Sequence, residues 1–151
     1  MNNIKQIEEV LQTEGILVCT TVGTSMYPML RNRRDTIVVK PCVERLKKYD
    51  VALYKSGSSY VLHRVLKVLP DSYIIRGDNC DRNEYGITDA EVLGVLVECY
   101  RGDKPLDLNG WKYQFYIRAH RMMFPIWKLC RLAKRGLRKI SGMMSRKERN
   151  K

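Results

Sequence analysis

The clearest structural signal in this sequence is the run Tyr60-Val61-Leu62-His63-Arg64-Val65-Leu66-Lys67-Val68. Its β-branched and aliphatic residues predict a strand, in which successive side chains point to opposite faces of a sheet. His63 then shares a face with Val61 and Val65, while Arg64 points to the other face. Because valines flank it on its own face, we expect His63 to be at least half buried.

Other segments on both sides of this run carry the same strand signature. They are rich in β-branched and aliphatic residues, and polar turns separate them: 16–22, 36–39, 51–54, 73–75 and 92–100. Ser56-Gly57-Ser58 predicts a hairpin loop, and Gly94 predicts a bulge or a close approach. Apolar residues at helical spacing between Ile4 and Leu11, ended by Gly15, predict a short amphipathic helix. Five or six short strands after one helix predict a mainly β fold, a barrel or a folded sheet.

The charge of the chain is concentrated at its C-terminal end. Residues 112–151 contain 13 Lys and Arg against the single acid Glu148, whereas residues 1–111 hold 15 basic and 15 acidic residues. A neutral unit of this size buries enough surface for one hydrophobic core. The pattern therefore predicts a β domain over residues 1–111 and a basic helical tail over residues 112–151.

The tail has the pattern of a basic amphipathic helix that starts at Pro125. Its apolar residues fall along one face, Ile126, Leu129, Cys130, Ala133, Leu137 and Ile140, and its basic residues occupy the rest, Lys128, Arg131, Lys134, Arg135, Arg138 and Lys139. Trp127 suits a membrane interface. Such a helix binds an anionic membrane surface, or packs its apolar stripe on the domain. Nucleic acid is the less favoured partner, because no recognition fold accompanies the basic face.

The sequence points away from a disulfide framework, a structural zinc site and a membrane-spanning segment. The five cysteines are an odd, scattered set without a CxxC pair. No apolar run approaches the ~20 residues needed to cross a bilayer, and no cleavable signal segment begins the sequence. We therefore predict a cytoplasmic protein, peripheral on the inner face of the membrane if the tail binds lipid, and no cofactor.

Ser25 stands at a predicted corner of the chain. The strand 16–22 leads into Gly23, which adopts backbone angles closed to other residues, and a short helical turn could begin just after Ser25. Backbone N–H groups at such an element end are left without partners and can stabilise a developing oxyanion. The alternative is a capping serine before one helical turn.

Three groups together have the composition of a catalytic site. A serine hydroxyl needs a base to take its proton, and histidine is the side chain best suited to that near neutral pH. A carboxylate on the other imidazole nitrogen holds the required tautomer. Ser25, His63 and an aspartate from the loop 76–82 can fill these roles, although spacing alone does not show that they meet.

Six segments resemble motifs of the signal peptidases and the SOS-repressor-type self-cleaving peptidases. In chain order they are Ser25-Met26-Tyr27-Pro28 with Leu30, the segment 34–39, the segment 48–52, the segment 60–65, Gly77-Asp78-Asn79 with Asp81-Arg82, and the segment 91–95. The resemblance spans residues 16–100 and implies a barrel-like folded β-sheet. Arg34 replaces a glycine of the family pattern, and the segment 48–52 also lacks its glycine.

The pair His63-Arg64 resembles the Ser/His branch of this family, found in endoplasmic-reticulum and archaeal signal peptidases, rather than the branch with a lysine base. The resemblance implies a serine endopeptidase in which Ser25 is the nucleophile, His63 the base, Asp81 the orienting acid and Asp78 a supporting acid. It also implies small residues before the cut in a signal- or leader-peptide-like precursor.

This sequence departs from the family in ways that leave a second function open. Only 24 residues precede Ser25, with no membrane anchor among them, and no segment has room for a helix-turn-helix module. Gly23 replaces the hydroxyl residue of the signal-peptidase pattern, so an oxyanion hole would rely on backbone N–H groups. The alternative function is a catalytically silent module that binds a membrane surface or nucleic acid through its tail.

Overall fold

The computed structural model describes the backbone of residues 3–148 and the side chains of residues 7–130 and of Ala133. The chain forms two compact units, Met1–Tyr113 and Gln114–Lys151. The first unit is mainly β and consists of a short helix followed by a curled antiparallel sheet. The mainly β fold predicted from the sequence is therefore confirmed.

The first unit begins with helix α1, Asn3–Glu14, which ends at Gly15 in the left-handed region with φ 66°. The strands are β1 Leu17–Thr20, β2 Asp35–Lys40, β3 Val51–Ser56, β4 Ser59–Val68, β5 Tyr73–Arg76, β6 Glu84–Ile87, β7 Val92–Arg101 and β8 Lys104–Pro105. Both the predicted helix and the predicted strands are present. The structure adds β6 and β8, which are short and were not predicted.

The eight strands form a single sheet in which every paired strand is antiparallel to its neighbour. Their order is β1-β2-β7-β3-β4-β5-β6, and β8 pairs with β7. Strands β1 and β6 therefore lie at the two ends of the sheet. Because β7 pairs with both β2 and β3, it joins the strand that follows Ser25 in the chain to the hairpin that carries His63.

Strand β4 buries residues on both of its faces. Val65 belongs to a core cluster with Leu46, Ala52, Tyr54, Tyr73, Ile75 and Ile87, against which Val61 packs. His63, on that same face, is 6% exposed, so the predicted burial is confirmed. Arg64 points away from this cluster and is nevertheless 2% exposed, because Asp78 and Tyr113 cover it.

The hairpin between β3 and β4 fixes which residues of β4 face the core. Its loop consists of Gly57 and Ser58, between the paired residues Ser56 and Ser59. Gly57 has φ 59°, in the left-handed region that two-residue hairpin loops require. This register places His63 directly opposite Ala52.

Gly94 in β7 allows the close approach predicted from the sequence. A Cβ at this position would lie 2.5 Å from the backbone oxygen of Lys40 and 2.8 Å from Val39 Cγ1. Both distances are shorter than van der Waals contact, so a side chain at position 94 would push β7 away from β2.

The prediction that the C-terminal helix starts at Pro125 is wrong. Helix α2 runs from Trp111 to Glu148 and contains Pro125 in its interior. Asp107 Oδ1 accepts hydrogen bonds from the backbone N–H groups of Asn109 and Gly110 and shapes the turn before the helix. Residues 111–124 contain neither proline nor glycine, so the helix forms ahead of Pro125 despite the backbone hydrogen bond that a proline removes.

No helix in residues 3–148, the part of the chain described here, is long and apolar enough to cross a membrane.

Candidate functional site

Ser25 lies in a turn that follows the predicted corner. Gly23 has φ 101°, which only glycine adopts readily, and its N–H donates a hydrogen bond of 2.9 Å to Asn32 Oδ1. The turn continues with a hydrogen bond of 3.0 Å from the Leu30 N–H to the Met26 carbonyl oxygen. Met26 and Leu30 are buried, whereas Ser25 is half-buried. The turn therefore keeps Ser25 accessible above two buried apolar side chains.

His63 is held at Nδ1 by a carboxylate that the sequence analysis did not identify. Glu84, the first residue of β6, places Oε1 2.7 Å from Nδ1. Tyr54 donates a hydrogen bond of 2.6 Å to Glu84 Oε2, and its hydroxyl oxygen lies 3.1 Å from Nδ1. Since a carboxylate accepts hydrogen bonds, the proton of the neutral imidazole resides on Nδ1. Nε2 is then the atom that can accept a proton.

Burial dominates the electrostatics of this group. Desolvation lowers the pKa of His63 below its ordinary value, against the opposing effects of Glu84 and Asp78. Burial and the hydrogen bond to Glu84 together raise the pKa of Tyr54, so its hydroxyl remains a donor. His63 is therefore neutral at neutral pH, the state in which an imidazole accepts a proton.

Gly77 is the point at which the Ser25 turn and His63 meet. A Cβ at position 77 would lie 2.6 Å from the backbone oxygen of Ser25 and 2.8 Å from His63 Nε2. It would also lie 2.8 Å from Cys80 Sγ. These contacts leave no room for a side chain, so the glycine lets the two predicted catalytic residues come together.

Asn79, in the loop between β5 and β6, forms two hydrogen bonds to the Ser25 turn. Its backbone N–H donates a hydrogen bond of 2.7 Å to the Ser25 carbonyl oxygen, and its Nδ2 donates one of 3.0 Å to the Thr24 carbonyl oxygen. The loop that resembles a family motif in the sequence thus contacts the Ser25 turn directly.

Asp78 forms a buried ion pair with Arg64. Its two carboxylate oxygens accept hydrogen bonds of 2.8 Å from Arg64 Nε and 2.7 Å from Arg64 Nη2. Arg64 Nη1 also donates to the Tyr49 carbonyl oxygen and to the Tyr113 hydroxyl, at 3.0 and 2.9 Å. Although burial disfavours its charge, the Asp78 carboxylate raises the pKa of Arg64. Asp78 therefore holds the loop in place from the side opposite His63.

The carboxylate at Nδ1 of His63 is that of Glu84, where the sequence analysis had placed Asp81. Asp81 lies half-buried in the loop between β5 and β6. The structure thus brings together Ser25, His63 and the loop that carries Asp78 and Asp81, and it adds Glu84 and Tyr54. The sequence analysis did not identify Glu84 because it did not predict β6. Tyr54 could have been identified from the sequence, because it lies on β3, the strand that pairs with the strand of His63.

Cys80 also lies next to His63. Its Sγ lies 3.9 Å from Nε2. Burial raises the pKa of the Cys80 thiol, so the thiol is protonated at neutral pH and a weak nucleophile.

Within the described part of the chain the Ser25 hydroxyl makes no hydrogen bond to Nε2, and the Ser25 atom that shares the space around Gly77 with Nε2 is the backbone oxygen. Catalytic hydrogen bonds are often long before substrate binds, and a serine hydroxyl moves by rotation about χ1 between staggered positions. The backbone N–H groups of Ser25 and Met26 donate to no acceptor among the described residues. These two donors are available to a developing oxyanion.

Among the residues whose side chains are described, no cluster of three or more His, Cys, Asp or Glu could hold a metal ion.

The sequence matches no protein-family model and no curated protein, so the likeness of its motifs to the signal-peptidase family remains a resemblance.

Proposed function

We propose that this protein is a serine endopeptidase of the signal-peptidase-like class, with Ser25 as nucleophile and His63 as general base. The observation that carries the proposal is the geometry at Gly77, where a Cβ atom would contact both the backbone oxygen of Ser25 and Nε2 of His63. The motif order in the sequence supports the same conclusion, as does the mainly β fold. The barrel-like fold of that family is part of this proposal.

The chemistry follows from the tautomer of His63. Nε2 takes the proton of the Ser25 hydroxyl as the oxygen attacks the substrate carbonyl carbon, and the N–H groups of Ser25 and Met26 bind the oxyanion. The imidazolium then gives the proton to the leaving amine as the C–N bond breaks. A water molecule, deprotonated by the same Nε2, hydrolyses the Ser25 ester and releases the acid product.

Glu84 takes the orienting role that the sequence analysis gave to Asp81. It accepts hydrogen bonds at both oxygens, from His63 Nδ1 and from the Tyr54 hydroxyl. The first bond keeps the proton on Nδ1, and the second keeps the carboxylate from rotating away. A carboxylate in this position also stabilises the imidazolium that forms during the reaction.

The substrate is an extended peptide that pairs with β1. This strand lies at one end of the sheet, with Val18 exposed and no strand on its outer side within the described part of the chain. Ser25 follows β1 after a short turn, so a peptide added alongside β1 would pass the nucleophile. From the resemblance we expect small residues just before the cut, in an exported precursor or in the leader of a cytosolic peptide.

A fluorophosphonate probe combined with a peptide library tests this proposal. The full chain should be labelled on Ser25, as located by mass spectrometry, and should cleave extended peptides that have small residues before the cut. Ser25→Ala and His63→Ala should each lose both activities and retain the circular dichroism spectrum of the parent protein. Because the two residues act as a unit, the double variant should be no worse than either single variant.

Cys80→Ala is the matched control, because it removes a nucleophilic side chain whose Sγ lies 3.9 Å from Nε2. This variant should keep labelling and cleavage. If Cys80→Ala were inactive while Ser25→Ala still cleaved peptides, Cys80 would be the nucleophile. If no variant and no parent protein reacted, the catalytically silent binding module would be the better description.

A further inference from the structure

Helix α2 exposes a row of large apolar side chains. Met122, Met123, Ile126 and Leu129 are 80, 56, 62 and 68% exposed, and Phe115 is 66% exposed. At 3.6 residues per turn these positions fall within about a third of the helix circumference. A face of this width and exposure is unusual for a helix surrounded by water.

The same helix carries a large excess of basic residues. Between residues 111 and 147 the sequence has no Asp or Glu. By helical spacing, Arg121 and Lys128 lie on the side opposite the apolar row, and Arg118 lies at its flank. The basic residues after Lys128 and the predicted apolar residues Leu137 and Ile140 lie outside the residues whose side chains are described.

We infer that α2 binds the surface of an anionic lipid bilayer, with the apolar row in the acyl boundary and the basic residues among the headgroups. A bilayer surface accommodates both the apolar and the basic face of this helix, since the bilayer interior removes apolar side chains from water and the lipid phosphates attract Lys and Arg. Nucleic acid would neutralise the charge but leave the apolar row in water. A second copy of the tail would bring together two segments that each carry +12.

The aromatic side chains next to this row are suited to the boundary between water and lipid. Trp127 is 41% exposed, and its ring lies 6.3 Å from that of His120, which is 5.6 Å from the ring of Tyr116. Rings with an apolar body and a polar atom are enriched at membrane interfaces. Trp127 therefore marks the depth to which the helix would enter the bilayer.

Tryptophan fluorescence of the full chain measures this binding directly. The protein has two tryptophans, so Trp111→Phe leaves Trp127 as the only one. Its emission should shift to shorter wavelength with vesicles of phosphatidylglycerol and phosphatidylcholine in equal amounts. It should not shift with phosphatidylcholine alone or with double-stranded DNA.

Two triple variants separate the apolar contribution from the electrostatic one. Met122→Gln, Ile126→Gln and Leu129→Gln together keep good helix propensity and should weaken vesicle binding at least tenfold at any salt concentration. Arg118→Gln, Arg121→Gln and Lys128→Gln together should weaken it about a hundredfold at low salt, and the difference should shrink at ~1 M salt, where the screening length is ~3 Å. The matched control is Lys47→Gln, Lys67→Gln and Lys104→Gln, which removes the same charge from exposed positions of the β unit.

The inference is overturned if the parent protein fails to bind the anionic vesicles, or if DNA shifts the Trp127 emission as the vesicles do. It is also overturned if the apolar variant binds vesicles normally but melts at a lower temperature, because the row then packs against protein. Ser25→Ala should bind vesicles like the parent protein, so the outcome is independent of the peptidase proposal.

Discussion

Replacing Glu84 by Gln changes the tautomer of His63 while keeping the size of the side chain. The carboxylate accepts two hydrogen bonds, of 2.7 Å from Nδ1 and 2.6 Å from the Tyr54 hydroxyl. A glutamine has one acceptor oxygen and one donor NH₂ group. If the NH₂ group faces the imidazole, the proton moves to Nε2 and the base is lost. If the oxygen faces it, the NH₂ group opposes the donor hydroxyl of Tyr54.

The size of the effect follows from the bond that is lost. A hydrogen bond to a charged partner contributes about 1.5–3 kcal/mol, which corresponds to a ~10- to 100-fold fall in kcat/KM. The pH profile should change as well. Glu84 raises the pKa of His63 against the effect of burial, so its neutralisation should move the rising limb of activity to lower pH while the plateau falls.

Peptide cleavage between pH 4.5 and 9 measures both effects in one set of assays. Asp81→Asn is the matched control, since it neutralises a nearby loop carboxylate and should change kcat/KM less than Glu84→Gln does. An Asp81→Asn variant that lost more activity than Glu84→Gln would refute the assignment of Glu84. A Glu84→Gln variant whose pH profile kept the plateau and the rising limb of the parent protein would refute it as well.

Three other predictions follow from the site. Since burial lowers the pKa of His63, kcat/KM should rise with pH through a midpoint below the usual value near 6.5, and a midpoint well above it would contradict a desolvated base. Gly77→Ala should displace the Ser25 turn and so reduce the rate of fluorophosphonate labelling about a hundredfold. Its control is Gly94→Ala, at an equally crowded position within the sheet, which should lower the melting temperature but leave the labelling rate per folded molecule unchanged. Asp78→Asn should lower the free energy of unfolding by about 3–5 kcal/mol, measured by urea titration, because it leaves Arg64 charged and buried; a change below ~1 kcal/mol would mean that the pair is dispensable.

The alternation of β4 was the most informative pattern in the sequence. It predicted the burial of His63 and placed Arg64 on the other face, because a strand has a strict two-residue period. It could not reveal that Arg64 is also buried, since this depends on Asp78 and Tyr113, which lie 14 and 49 residues away along the chain.

The sequence could not show which carboxylate contacts His63, because that depends on tertiary structure. Glu84 reaches His63 because β5 pairs with both β4 and β6, and no spacing in the sequence encodes that arrangement. The segment Glu84–Ile87 is short and contains Gly86, so it lacks the strand signature. A motif resemblance pointed to the neighbouring loop and hence to Asp81. The start of α2 was misplaced for a related reason: proline favours a first turn, but it does not prevent a helix that begins earlier.

The length of the two-residue hairpin loop at Gly57 and Ser58 sets the register of β4 on which the chemistry proposed here depends. A shift of β4 by a single residue against β3 would exchange the faces of His63 and Arg64, and would put a permanently charged guanidinium where the base should be. Substitutions in this loop change its flexibility, but an inserted or deleted residue changes which side chain faces Ser25. The length of a surface turn that contributes no atom to the site thus determines which residue occupies the position of the proposed base.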